Sequence, residues 1–492
     1  MAQERASPGE ETLDPKDWEP MRALGHRMVD DVLDYLKAVE GRPVWSHAPD
    51  AVRDHFDGPV PPDPQAPEAV YEELLEYVLP YPVGNIHPRF WGWVFGTGTI
   101  LGALAELLAA TMNIGASGGL AYHSANYVED QVIDWFKEML GFPASASGLL
   151  TSGCSAANLI GLAAARNTKA SYDLRREGVR PAQGRMVLYA SEQIHSSVQK
   201  AVELLGLGSD SLRQVAVDDQ FRIDLQTLEA TIARDRKDGR RPFCVVGAAG
   251  TTNTGTVDDL DALADLCQQE DLWLHIDGAF GAWAALAPEA RDLVCGMDRA
   301  DSLAFDLHKW MYMPYEIGCV LVRSERDHRR AFSLTPAYLA HGEGERGLSG
   351  VDLPWLSDYG FQLSRGFRAL KAWMSLKEHG SRKYGRLIQQ NIDQAHYLAE
   401  LIEAAPELEL AAPVTLNVVC FRYVWTGMDD VALDRLNKQI EVELQEQGIA
   451  AVSGTKIRGR YVLHVAHCNH RSGRKDFDVL VSEVIRLGGE LA

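Results

Sequence analysis

Between Gly148 and Arg323, short apolar runs alternate with segments of helical periodicity, and this alternation restricts the chain more than any other feature. Strand-like runs begin at Gly148, Met186, Phe243, Asp271 and Gly318, and an Ala-rich helical run, Leu159 to Arg166, follows the first. Runs this short and this uniformly apolar are buried on both faces, as in a parallel sheet. The reading is an α/β protein whose large domain is a mainly parallel sheet flanked by helices.

The run Asp271-Leu272-Trp273-Leu274-His275-Ile276-Asp277 ends on a carboxylate and passes into small residues, Gly278, Ala279 and Gly281. A buried strand delivers an acid to a sheet edge in this way. Further on, Lys309 stands beside His308 among Phe305, Leu307 and Trp310. Desolvation there should lower the lysine pKa and favour a nucleophilic amine. Asp306, three residues before the lysine, would be repelled by a nearby phosphate unless it meets a cation or a backbone N–H. Each half alone reads more readily as ordinary α/β structure than as a functional site. Together, an acid to keep a pyridine nitrogen protonated and a lysine to form a Schiff base are two parts of a pyridoxal phosphate site.

Two further strand ends carry polar chemistry. Thr151-Ser152-Gly153-Cys154-Ser155 opens a helix, where free backbone N–H groups bind phosphate, although small residues also cap ordinary helices. Ser191-Glu192-Gln193-Ile194-His195-Ser196-Ser197 follows the Met186 run, and a lone histidine there is more often structural than catalytic. With Lys309 and Asp277, these strings resemble the group II pyridoxal-phosphate-dependent amino acid decarboxylases, closest to the aromatic-L-amino-acid branch. The resemblance runs from about Met21 into the C-terminal region. It implies a fold-type-I enzyme with pyridoxal 5′-phosphate as cofactor and Lys309 as its internal aldimine. It also implies Asp277 on the ring nitrogen, His195 stacked on the ring, Ala279 on the opposite face, and Thr252 nearby. Cys154 and Ser155 would contact the phosphate, and His308 would lie close enough to act as acid or base.

The substrate remains open at this level. In His87-Pro88-Arg89-Phe90-Trp91-Gly92-Trp93, the aromatics Phe90, Trp91 and Trp93 favour an aromatic amino acid, and they read nearly as well as a core cluster. Arg89 leaves an acidic substrate possible, or pairs with a structural acid. The small residues from Ile114 to Ser124 stand where the resemblance implies a bulky pocket residue from a neighbouring subunit. Thr335 to Gly360 is a long glycine-rich segment, and loops of that length are usually functional or disordered. In the resembled enzymes a tyrosine there protonates the product carbanion. Here the matching position falls near Leu356, with Tyr338 and Tyr359 out of register. His195 or His308 could donate instead. An oxygen-dependent aldehyde synthase or an aminotransferase on the same fold are therefore alternatives to the amine-forming decarboxylase.

A net charge of −21 argues against nucleic acid or an anionic membrane as partner. No apolar run is long enough to span a membrane. Seven cysteines with no C-x-x-C point to free thiols in a reducing cytoplasm and to no metal site. Residues 1–20 read as a frayed tail without leader character, 21–110 as an N-terminal helical segment, 111–375 as the large domain and 376–492 as a small α/β C-terminal domain. Leu24, Met28, Val32, Leu33, Leu36 and Val39 form one apolar helix face. The resemblance implies a homodimer in which this helix lies across the partner and residues near Ser117 reach the neighbouring site.

Overall fold

The computed structural model describes residues 11–117, 123–180, 184–334 and 355–492. Its centre is a seven-stranded sheet built from β1 (Ser147–Thr151), β2 (Met186–Ser191), β3 (Leu212–Val215), β4 (Arg241–Ala248), β5 (Trp273–Asp277), β6 (Ser302–Asp306) and β7 (Gly318–Val322), in the order β1-β7-β6-β5-β4-β2-β3. The neighbours from β3 to β6 pair in parallel, and only β7 runs against the rest.

Side chains alternate across this sheet with period two, so one strand feeds two cores. Val187 and Tyr189 of β2, Val245 of β4 and Ile276 of β5 join one cluster. Leu188, Ala190, Val246 and Trp273 join the cluster on the other face, with Ala157 and Ile160 of the helix Cys154–Lys169. Every residue of β2, β5, β6 and β7 is buried. Sheets of this kind bind ligands beyond the carboxyl ends of their strands. Here β1, β2, β4, β5 and β6 all end on the same edge, because β1 and β6 flank the reversed β7.

The C-terminal lobe is a four-stranded antiparallel sheet of β8 (Leu408–Leu410), β9 (Val418–Tyr423), β10 (Ser453–Ile457) and β11 (Arg460–Ala466), in the order β10-β11-β9-β8. Helices Ser381–Ala404, Asp430–Glu446 and Arg474–Leu491 contribute to its core. The stretch after His87 belongs to this lobe: Trp91 N–H donates to Ala451 O at 2.7 Å, and Trp91 O accepts from Ala466 N–H at 2.9 Å. The first helix, Trp18–Lys37, buries only Leu24, and leaves Met28, Val32 and Leu33 exposed. Among the described residues no helix is long and apolar enough to cross a membrane.

Candidate active site

Asp277, at the end of β5, is 5% exposed and held from three sides. Asn158 Nδ2 donates to Oδ2 at 2.9 Å, Ala279 N–H donates to Oδ1 at 3.1 Å, and the Cys154 thiol lies 3.4 Å from Oδ1. Asn158 comes from the second turn of the helix Cys154–Lys169, so one helix supplies both Cys154 and the asparagine. The asparagine is oriented in turn by His275, whose Nε2 lies 2.9 Å from Asn158 Oδ1 while Nδ1 lies 2.7 Å from Ser302 Oγ. Burial lowers the His275 pKa to about 4, so the imidazole is neutral at physiological pH.

His195 caps the helix Ser196–Leu204 at the end of β2. Its Nδ1 lies 2.8 Å from Ser197 Oγ, which also accepts from Asn158 Nδ2 at 3.1 Å. The chain His195–Ser197–Asn158–Asp277 therefore ties two predicted site residues together. Burial lowers the His195 pKa, only partly offset by Asp277.

Lys309 follows β6. Its Nζ lies 3.1 Å from Asp306 Oδ2, and His308 Nε2 lies 3.6 Å from the same oxygen. The expected depression of the lysine pKa is overturned. Burial does lower it, but Asp306, with Cys154 and Asp277 behind it, leaves the ammonium above its ordinary value. His308 Nδ1 is engaged by the Ile317 backbone, 2.8 Å from its O and 3.1 Å from its N, which fixes the ring. Burial pushes the His308 pKa down.

Cys154 is the first residue of its sixteen-residue helix, and its N–H donates to Asp306 Oδ1 at 2.6 Å. Asp306 thus has both partners that a carboxylate beside an anion site needs, a cation and a backbone N–H. Ser155 is exposed at the same helix end. A Cβ on Gly153 would sit 3.3 Å from His308 Cε1, a tight contact that the histidine could accept only by shifting slightly. Thr252 lies beyond β4, beside the strand that carries Asp277, and its carbonyl is 2.9 Å from His464 Nε2 of the C-terminal lobe. The Ala279 carbonyl accepts from Asp306 N–H at 2.9 Å, which links the ends of β5 and β6.

The aromatic stretch divides. Trp91 points away from the site, into the C-terminal lobe: it stacks on Phe477 at 4.7 Å and donates to Ser472 Oγ at 3.0 Å. Its assignment to a substrate pocket is corrected, since the strand-like pairing with Ala451 and Ala466 sends alternate side chains to opposite faces. Phe90 is buried with Val44 and Ala451, behind Phe95. Trp93 continues a chain of rings toward the lysine, to Phe95 at 5.9 Å, Tyr315 at 5.8 Å and His308 at 4.3 Å. Arg89 is used within the C-terminal lobe, where Nε donates to Ile449 O at 2.7 Å. Tyr359 donates its hydroxyl to Glu325 at 2.6 Å and packs against His328, so it is withdrawn as a proton donor. Tyr338 and Gly118 to Tyr122 lie outside the described residues.

Sequence reasoning took in Asn158 and Phe95 only as parts of longer strings, gave neither a role, and missed Tyr315. Asn158 carried a usable signal, a polar residue one turn into an otherwise Ala-rich helix; the two aromatics carried none that set them apart from core.

An ammonium, an acid held by three donors, a helix N-terminus with an exposed serine and two fixed histidines share one sheet edge. That donor set fits pyridoxal phosphate: an amine for its aldehyde, a carboxylate for its ring nitrogen and backbone N–H groups for its phosphate.

Comparison with known proteins agrees. Residues 49–424 match the pyridoxal-dependent decarboxylase conserved domain, and the chain belongs to that family. It is 34% identical to an aromatic-L-amino-acid decarboxylase of Bacillus atrophaeus over 480 residues, 96% of each chain. It is 28% identical to a phenylacetaldehyde synthase of Arabidopsis thaliana, covering 92% of this chain and 93% of the relative. Among solved structures, that of Oryza sativa TDC with PLP and tryptamine matches with a TM-score of 0.88 at 26% identity, covering 97% of this chain and 99% of that one. The protein is a pyridoxal-phosphate-dependent decarboxylase of fold type I.

Proposed function

We propose that the protein releases CO2 from an aromatic L-amino acid to give the amine, as a cytoplasmic homodimer. The observation that carries the substrate class is the run of rings Trp93, Phe95 and Tyr315 leading to His308 and Lys309. An apolar, polarisable wall of this kind favours an aromatic side chain. The relative from Bacillus atrophaeus, named for aromatic L-amino acids, supports the same reading. An acidic substrate is disfavoured because Arg89 is occupied by Ile449 O.

When bound, pyridoxal phosphate supplies the electron sink for the pair left behind by CO2. Lys309 presents the amine that anchors it. Asp277 would hold a proton at the ring nitrogen, and Asn158 holds Asp277. His195 and Ala279 would hold the ring, and Cys154, Ser155 and Thr252 would hold the rest of the cofactor. His195 and His308, both neutral through burial, are available to take and return a proton near Cα.

The exposed apolar face of Trp18–Lys37, with Met28, Val32 and Leu33 outward, supports a dimer that covers it. Seven unpaired cysteines suit a reducing compartment. A second reading, oxygen-dependent aldehyde formation, is favoured by one observation: Tyr359, a candidate carbanion donor, is tied to Glu325.

A screen of the twenty amino acids with the holoenzyme, quantifying CO2, amine and peroxide together, tests the proposal. The expected result is CO2 and amine in equal amounts from an aromatic amino acid. Stoichiometric peroxide would establish the second reading, and turnover confined to an acidic amino acid would overturn the substrate class.

A further inference from the structure

The Asp306 carboxylate is 2% exposed and divides its two oxygens between two elements of the site. Oδ1 accepts from Cys154 N–H at 2.6 Å, the first amide of the helix whose N-terminus would hold the cofactor phosphate. Oδ2 lies 3.1 Å from Lys309 Nζ. There is no slack around it: a Cβ on Gly318 would sit 2.7 Å from Oδ1. An acid in this place has a cost, because it uses an amide and adds a negative charge where a phosphate dianion would bind.

We propose that Asp306 is a positioning residue that clamps the N-terminus of the Cys154 helix to the Lys309 ammonium, and so holds the lysine charged until the cofactor reacts. The inference rests on Lys309 as the covalent anchor. Reaction of the lysine with an aldehyde requires the free amine: the ammonium first gives its proton to solvent, the nitrogen pair then attacks the carbonyl carbon, a C=N bond replaces C=O, and water leaves. A carboxylate in contact with the ammonium opposes the first of these events.

The other groups facing the lysine come from every side. Asp277 lies on β5, Cys154 on its helix, His195 beyond β2, His308 next in the chain, and Cys468 on the C-terminal lobe; Tyr315 faces Asp306. None of these is a carboxylate bonded to the lysine; Asp306, 3.1 Å from Nζ, is. Its removal should dominate the change, in keeping with the raised lysine pKa and its cause.

The test separates the clamp from a simple helix cap, because asparagine retains an oxygen for the Cys154 N–H but carries no charge. Cofactor-free wild type and Asp306→Asn are mixed with pyridoxal 5′-phosphate across a pH series, and the rate of appearance of the visible imine absorbance is recorded. The expected result is a pH midpoint about one unit lower in the variant, which at pH values below both midpoints makes its reaction about tenfold faster. Coincident pH profiles would overturn the clamp and leave Asp306 as a cap only. Asp306→Ala should show the same lowered midpoint with slower overall binding, since it also loses the cap; an unshifted midpoint there would equally contradict the proposal. If the wild type forms no imine, the anchoring by Lys309 fails and this inference fails with it.

Discussion

Asn158 Nδ2 donates to Asp277 Oδ2 at 2.9 Å, and this bond couples the helix Cys154–Lys169, proposed to hold the cofactor phosphate, to the acid proposed to serve the ring nitrogen. A hydrogen bond to a buried charged group contributes about 1.5–3 kcal/mol. Asn158→Ala should therefore lower kcat roughly ten- to a hundredfold while the protein stays folded. Asn158→Asp should be more damaging, since a second carboxylate would face Asp277. Steady-state kinetics, with circular dichroism as the folding control, would contradict the role of Asn158 if kcat for the alanine variant stayed within twofold of the wild type.

Tyr359 supports the fold rather than the chemistry. Its hydroxyl bonds to Glu325 at 2.6 Å, and its ring is 5.1 Å from that of His328. Tyr359→Phe should leave the ratio of amine to peroxide unchanged and cost about 1 kcal/mol of stability, the ordinary value of one lost hydrogen bond. Product analysis beside a denaturant titration checks both. A rise in peroxide would restore this tyrosine as a donor.

Acid should destabilise the protein above the pH range of ordinary carboxylates, with Asp258, raised to about 6 by burial, the exception among them. Burial lowers the pKa of His275, His464 and His470 to about 4 and of His328 and His467 to about 3. In the unfolded chain these groups take up protons near pH 6.5, while the folded chain excludes them, so the unfolded state binds more protons as pH falls. Stability should be fully present above about pH 6.5 and drop between there and pH 4, by about 1.4 kcal/mol per histidine for each pH unit crossed. Urea unfolding at pH 7.5 and 5.5 measures it. Replacing His328, which lies away from the lysine, with glutamine should flatten the slope by one histidine's share, and an unchanged slope would contradict the assignment.

Much of the candidate site could be located in the sequence because its residues sit at strand ends. Asp277, Lys309, His195 and Cys154 each follow an apolar run whose length and composition announce a buried strand. The alternation of those runs with helices carried the parallel centre of the sheet. What the sequence withheld depends on pairing across long separations. The short edge strand Leu212–Val215 and the polar β10, Ser453–Ile457, have too few apolar residues to stand out from loop. Trp91 and Trp93 look alike in the chain, and only pairing with Ala451 and Ala466 sends the first into the C-terminal lobe. The lysine pKa was misjudged for a related reason. Desolvation could be read from Phe305, Leu307 and Trp310, whereas the strength of the opposing carboxylate depends on a distance of 3.1 Å.

Lys309 is proposed to anchor pyridoxal phosphate at the edge where Asp277 and the Cys154 helix converge. The holoprotein can be reduced with borohydride, digested and read by mass spectrometry. One phosphopyridoxyl group per chain, carried by Lys309, is the expected result. Its presence on any other lysine, or a fully active protein with no modified lysine, would contradict it.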